Sequence, residues 1–296
     1  MADSELVAAA EAAVQAICGT CWRITGHRTI AGGNINQALV IETAQQPLFV
    51  KYNRADLLDM FAAEHAALQS IAATQTIRVP TPIAVGSSSK HTFLVLEYLE
   101  IGTGAADWSA LGEQLAALHN LPQPTYGWMR DNTIGSTPQR NEPRENWVDF
   151  WRDMRLYPQC EMAAARGAPN AMLKAIREVI MQIDSILGDH QPQPALLHGD
   201  LWAGNKGFLN DGTPVLFDPA SYCGDRESDV AMSELFGGFD SDFYAAYRNC
   251  TPLESGYSAR KALYNHYHLL NHFNLFGGAY AAQVEATSAA ILRNIR

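Results

Sequence analysis

The chain has 296 residues, 47% hydrophobic and 18% charged, enough to bury a sizeable core as one large domain or as two lobes around a shared cleft. Its 21 basic residues against 31 acidic ones give a formal net charge of −10, and no basic run is interleaved with aromatics, which argues against nucleic acid as a partner. No apolar stretch approaches the roughly 20 residues needed to cross a bilayer, so no membrane partner is expected and a cytoplasmic setting is the default.

The opening stretch "MADSELVAAAEAAVQAI" lacks a basic leader region and carries Asp3, Glu5 and Glu11 among its alanines, so an amphipathic helix is expected there rather than a secretory signal. Cys18, Cys21, Cys160, Cys223 and Cys250 are odd in number and scattered, the pattern of reduced thiols. Cys18 and Cys21 form a C-x-x-C, but no second ligand pair accompanies them and they close a helix instead of opening one, so no metal or redox role is expected. Four strand-length runs follow: "CWRITGHRTI" (21–30), "ALVIETA" (38–44), "PLFVKYN" (47–53) and "TFLVLEYLE" (92–100). A helix interrupts them, "ADLLDMFAAEHAALQSIAA" (55–73), with Leu57, Leu58, Phe61, His65 and Leu68 spaced for one face. The glycines and alanines of "EIGTGAAD" (100–107) suit a connector. Beyond it come helices such as "WSALGEQLAALHNL" (108–121) and "NAMLKAIREVIMQIDSIL" (170–187), with a short strand-like pair around "PALLHGD" (194–200) and "TPVLFDPA" (213–220). The expected class is α+β: a small β-rich N-terminal lobe over 1–99, a linker over 100–107, and a larger, mainly helical lobe over 108–296.

The residues that carry chemistry agree in order and spacing. In the turn "AGGNIN" (31–36), Gly32 and Gly33 would let backbone amides approach a phosphate, although a hairpin turn accounts for Gly-Gly-Asn equally well. Lys51 ends the alternation of "PLFVK", where a strand-borne ammonium could reach nucleotide phosphates, and Glu64 could hold it as an ion pair; alone, the two read as solvated surface charges. Asp200 and Asn205 lie five positions apart in "HGDLWAGN", the separation of Asp and Asn in the kinase loop H-R-D-x-x-x-x-N. Phosphoryl transfer needs one carboxylate to accept a hydroxyl proton and an amide oxygen nearby to hold Mg2+. Asp218, ending "PVLF", could supply a second, charged metal ligand. Pro219 biases Asp218 toward extended backbone, which predicts a metal site assembled without prior phosphorylation.

Trp202 could give a sugar a flat face or pack in the core. Glu227 and Asp225 could attract an ammonium or form a solvated acidic turn. His268 and His272, at i,i+4, read as helix packing because no H-E-x-x-H carboxylate accompanies them. His198 reads as a brace for the catalytic loop.

With "GGNIN", "FVK", "FLVLEYL", "LGEQLAALH", "DNTIGSTPQRN", "HGDLWAGN", "DPASYCGDRESDVAM", "LFGGF" and "LLNHFNLFGG", the chain resembles the fructosamine or ketosamine 3-kinases over nearly its whole length. These are a branch of the protein-kinase-like superfamily near the aminoglycoside and choline kinases. The resemblance implies a bilobal protein-kinase-like fold and ATP-dependent phosphorylation of the 3-hydroxyl of a ketosamine, free or protein-bound. The product sheds its sugar, so the activity amounts to deglycation. It further implies Asp200 as catalytic base, Asn205 and Asp218 as Mg2+ ligands, and Lys51 with Glu64 as the phosphate-orienting pair. Gly32, Gly33 and Asn34 would lie over the nucleotide, the carbonyl of Glu97 and the amide of Leu99 at the adenine edge, and Asp229 would brace the catalytic loop through its backbone. Asn34 departs from the Cys or Asp common in the family, and Ala203 from serine. A related kinase acting on an aminoglycoside, choline or a sugar is the alternative, against which "DPASY" and "LFGGF" argue. A non-catalytic nucleotide-binding module is opposed by the joint presence of Lys51, Asp200, Asn205 and Asp218.

Overall fold

Hydrophobic alternation in the first hundred residues resolves into one antiparallel sheet in the computed structural model, which describes residues 4–30, 33, 35–102 and 104–295. The sheet runs β1 (Ile24–Ile30), β2 (Gln37–Thr43), β3 (Leu48–Arg54), β4 (Pro82–Ser87) and β5 (His91–Glu97), in the order β1-β2-β3-β5-β4. Helix α1 (Ser4–Cys18) presents Leu6, Ala10 and Val14, four residues apart, to Leu39, Ile41, Val50, Tyr52, Phe93 and Val95. Because side chains alternate along a strand, Lys51 points to the opposite face from Val50 and Tyr52, where Glu64 of α2 (Leu58–Thr74) meets it.

Helix α2 differs from expectation at its start. A tighter 3-10 turn over Ala55–Leu57 precedes it, shifting the buried face to Met60, Phe61, Ala63, Ala67, Leu68 and Ile71. Leu57 and His65 are therefore half-buried and Leu58 is exposed. Full burial of Phe61, Leu68 and Ile71 stabilises this packing by about 1.5–3 kcal/mol each.

The chain divides into two compact units, Met1–Asp107 with Lys206–Pro219 and Trp108–Asn205 with Ala220–Arg296. The inserted segment joins the first unit through bridges of Val215 to Arg78 and of Leu209 to Ile101. It also corrects the strand pairing expected between 194–200 and 213–220. Lys206–Phe208 pairs with Pro214–Leu216 across the tight turn at Asp211 and Gly212, while Ala195–Leu196 pairs with Cys223–Gly224. Gly212 has a φ of +89°, so the local hairpin closes without side-chain strain.

The second unit contains α3 (Trp108–His119), α4 (Trp147–Phe150), α5 (Tyr157–Ala165), α6 (Asn170–Met181), α7 (Ile183–Leu187), α8 (Glu227–Leu235), α9 (Ser241–Cys250), α10 (Tyr257–Phe276) and α11 (Ala281–Ile295). A π-helical stretch, Trp151–Leu156, links α4 to α5, and a hairpin of Asn132–Ile134 with Thr137–Gln139 turns at Gly135. The single helix expected over 170–187 breaks at Gln182 into α6 and α7. All five cysteines are free, with Cys18 and Cys21 exposed where α1 ends at Gly19. No helix among the described residues is long and apolar enough to cross a membrane.

Candidate active site

In the first unit the alternation that turns Lys51 away from α1 places its ammonium between two carboxylates. Nζ lies 2.5 Å from Glu64 Oε1 and 2.5 Å from Asp218 Oδ1. Lys51 and Glu64 are 8% and 11% exposed, so the pair is buried rather than the solvated one that either residue alone would suggest, whereas Asp218 remains 47% exposed. Burial alone would drive the lysine pKa down, but the carboxylates of Asp218 and Glu64 outweigh it and hold the ammonium charged. Burial pushes the Glu64 carboxyl up, against the pull of Lys51.

Asp218 does not take the extended backbone that a following proline favours. Its φ is +59°, and among the described residues only Gln75, the cap of α2, shares a positive φ without being glycine. Such a conformation costs of order 1–3 kcal/mol, and the carboxylate so placed meets Lys51. Glu97 turns its carboxylate to Arg78 and to the amide and hydroxyl of Thr81. Leu99, with Tyr98 and Glu100, lines a shallow depression walled on its other side by Leu209, Asn210 and Asp211. Gly33 is exposed; Gly32 and Asn34 lie outside the described residues.

In the second unit the loop after Leu197 is held from behind by one buried carboxylate. Asp229 accepts the amides of His198 at 2.7 Å and Gly199 at 2.9 Å, and His119 Nε2 lies 3.2 Å from its Oδ2. Burial would raise the Asp229 carboxyl, but His119 and the loop around it hold it below the usual range. The Asp200 amide then reaches His198 Nδ1 at 3.2 Å, and Asn205 Nδ2 donates to the Asp200 carbonyl at 2.8 Å and to its Oδ2 at 3.1 Å. This commits the nitrogen end of the Asn205 amide to the loop, so the oxygen is the end a cation would use.

Gly199 is required by two facts at once. Its φ is +83°, and a Cβ there would stand 2.1 Å from the carbonyl oxygen of Ala220. Gly199→Ala is expected to cost about 2–4 kcal/mol of folding stability, since left-handed strain adds to a clash with backbone. Denaturant unfolding measures it, and an unchanged midpoint would mean the loop yields freely.

Trp202 is partly exposed, its ring lying over Gly204, where a Cβ would meet it at 2.3 Å. Glu227 and Asp225 correct the sequence reading: both are 1% exposed and spoken for, so they form neither a solvated turn nor a site for an external ammonium. Glu227 holds Arg260 through two bonds of 2.7 and 2.9 Å, and Asp225 holds His190 at 2.7 Å and the Tyr264 hydroxyl at 2.5 Å. A cation already occupies that cluster, and it is the guanidinium. His268 is buried and driven down to about 3, while His272 gives its Nδ1 proton to the His268 carbonyl at 2.8 Å. Sequence reasoning missed His119, His190 and Arg260, whose partners lie 33 to 110 residues away and leave no local signal.

The family profile of fructosamine kinase matches residues 6–294. A Synechocystis sp. protein named "Probable ketoamine kinase" is 49% identical over 277 residues, 93% of each chain. The chloroplastic protein-ribulosamine 3-kinase of Oryza sativa subsp. indica is 37% identical over 281 residues, covering 94% of this chain and 82% of that one. A solved Haemophilus somnus protein assigned as a fructosamine-3-kinase superposes with a TM-score of 0.90 at 30% identity over 98% of both chains. The aminoglycoside phosphotransferase APH(4)-Ia, 13% identical with a TM-score of 0.61 over 92% of this chain and 94% of that one, shares the kinase-like fold.

Proposed function

The chain belongs to the fructosamine kinase family, and we propose that it transfers the γ-phosphoryl group of ATP to the 3-hydroxyl of ketosamines, promoting loss of the sugar from glycated amines. The observation that carries this reading is the family match over 6–294, supported by two sets of groups that suit phosphoryl transfer: Lys51, Glu64 and Asp218 in one unit, Asp200 and Asn205 in the other.

In this reading Asp200 accepts the proton of the attacking hydroxyl, oriented by the Asn205 amide on its Oδ2. Lys51, fixed by Glu64, offers a permanent cation to the nucleotide phosphates. Asn205 and Asp218 are the Mg2+ donors: both are hard oxygens, as that ion prefers, and Asp218 keeps half its surface open. When bound, Mg2+ neutralises charge on the phosphate oxygens. Gly32, Gly33 and Asn34 form the loop over the nucleotide, and the main chain of Glu97 and Leu99 meets the adenine. Trp202, with its ring partly exposed beside the loop, contacts the acceptor sugar. A cytoplasmic setting accords with the free thiols.

The test is ATP consumption with Mg2+ over ribulosamine and fructosamine adducts of lysine, the parent sugars, choline and an aminoglycoside. Phosphorylation confined to the ketosamines is expected. Silence on them with turnover on another acceptor would hand the pocket to the related small-molecule kinases.

A further inference from the structure

The phrase "DNTIGSTPQRN" has no part in the phosphoryl-transfer chemistry, yet it places Asn132, Gln139 and Asn141 in the second unit's interior. Asn132, Gln139 and Asn141 are buried and bonded to one another: Gln139 Nε2 and Asn141 Nδ2 both donate to Asn132 Oδ1, at 2.8 and 2.9 Å. Behind them stands Arg155, 0% exposed, carried by the π-helical stretch. Its guanidinium donates to Asn141 Oδ1 at 2.8 Å and to the carbonyls of Arg140 and Met154, and lies 3.9 Å from the Tyr222 ring centroid. Among the described residues no carboxylate comes within ion-pair distance of it. A buried cation without a counter-ion, on a rare helical geometry that concentrates at functional sites, is a costly arrangement to keep for packing alone.

The other end of the network grips backbone. Gln139 Nε2 donates to the Ala220 carbonyl at 3.0 Å, and Asn132 Nδ2 to the Ser221 carbonyl at 2.8 Å. Those two residues run beside the catalytic loop: the Ala220 amide donates to the His198 carbonyl at 2.9 Å, and the Leu197 amide to the Tyr222 carbonyl at 3.0 Å. The Ala220 oxygen held by Gln139 is the same oxygen that leaves no room for a Cβ on Gly199. Tyr267 closes the set, its hydroxyl donating to Gln139 Oε1 at 2.6 Å.

We propose that Asn132, Gln139, Asn141, Arg155 and Tyr267 are positioning residues that fix the Ala220–Ser221 backbone and, through it, the loop that carries Asp200. Asp229 holds that loop from one side and this network from the other. None of the five touches substrate in this role. The inference rests on the assignment of Asp200 as the base, and it is tested by two readouts so that the two can fail separately.

Gln139→Met keeps the length of the side chain and removes its three hydrogen bonds. Amide exchange, followed by mass spectrometry on the full chain, is expected to quicken in peptides covering 196–205 while those of α6 and α11 stay as in the wild type. On a ketosamine acceptor, kcat is expected to fall about 10- to 100-fold with KM for ATP within about twofold, as for a small misplacement of a reacting group. Thr137→Val, in the same hairpin but bonded to Ile134 and Asn271 and not to the 220–221 backbone, should change neither. Should Gln139→Met fail to fold, Tyr267→Phe removes only the hydroxyl and is expected to move both readouts in the same direction by a smaller factor. Unchanged exchange over 196–205 in a folded variant would overturn the proposal, as would faster exchange there with wild-type kcat. If the wild type phosphorylates no ketosamine, the exchange result still decides the positioning, and the acceptor assignment alone is at fault.

Discussion

Asp200→Asn is expected to lower turnover by at least about 10²-fold, the low end of what a positioned general base contributes, with ATP binding nearly unchanged. The substitution keeps the main-chain contacts that shape the loop. The Asn205 amide holds the Asp200 carbonyl, the Asp200 amide reaches His198, and Asp229 binds the amides of His198 and Gly199. The bond from Asn205 to Oδ2 does involve the altered carboxylate, and a carboxamide oxygen can still accept it. What is lost is the proton acceptor. Because the transition state of phosphoryl transfer is loose, the hydroxyl proton leaves late, and Asp200 needs correct placement more than unusual basicity. Steady-state kinetics with a ketosamine, alongside nucleotide titration, measure both expectations. Near-normal kcat would remove Asp200 from the base role, and a large loss of ATP affinity would make it a nucleotide-site residue instead.

The parts of this molecule that were legible in the sequence are those set by short-range periodicity. Leu6, Ala10 and Val14 repeat every four residues and mark the face of α1; "PLFVK" alternates, and so fixes that Lys51 leaves the sheet on the face opposite Val50. Asp200 and Asn205 lie within one loop, so their spacing alone suggested that they meet. What was illegible is set by partners far along the chain. Nothing near Glu227 announces that Arg260 will neutralise it, and an acidic turn in sequence becomes a buried ion pair in space. Pro219 argues locally for an extended Asp218, yet Lys51, 167 residues away, holds its carboxylate while the backbone sits at positive φ. The strand-like runs at 194–200 and 213–220 were each recognisable, but their partners, Cys223–Gly224 and Lys206–Phe208, lie outside both runs. Local pattern thus named the groups, and tertiary contacts decided which of them are presented and which are consumed.

Lys51→Met carries the second large effect, and it divides into two parts that can be separated. The variant leaves the Glu64 carboxylate, 11% exposed, without its cation, and breaking a buried pair in this way destabilises by about 3–5 kcal/mol. Burial already raises Glu64 above its ordinary value of 4.5, and removing Lys51 removes what opposed that rise. A carboxyl whose folded pKa is raised binds more protons folded than unfolded, so stability falls as pH climbs from about 4.5 through the raised value. The unfolding midpoint of Lys51→Met is therefore expected to be higher near pH 5 than near pH 8. In Lys51→Met with Glu64→Gln the titrating group is gone, so most of the lost stability should return and the added pH dependence should vanish. Turnover should not return, because a neutral side chain offers the phosphates no charge. Recovery of stability alone assigns Lys51 to the nucleotide, with Glu64 as its support. Recovery of turnover as well would mean that the pair is a buried strut between β3 and α2, and the phosphate-orienting role would have to pass to another cation.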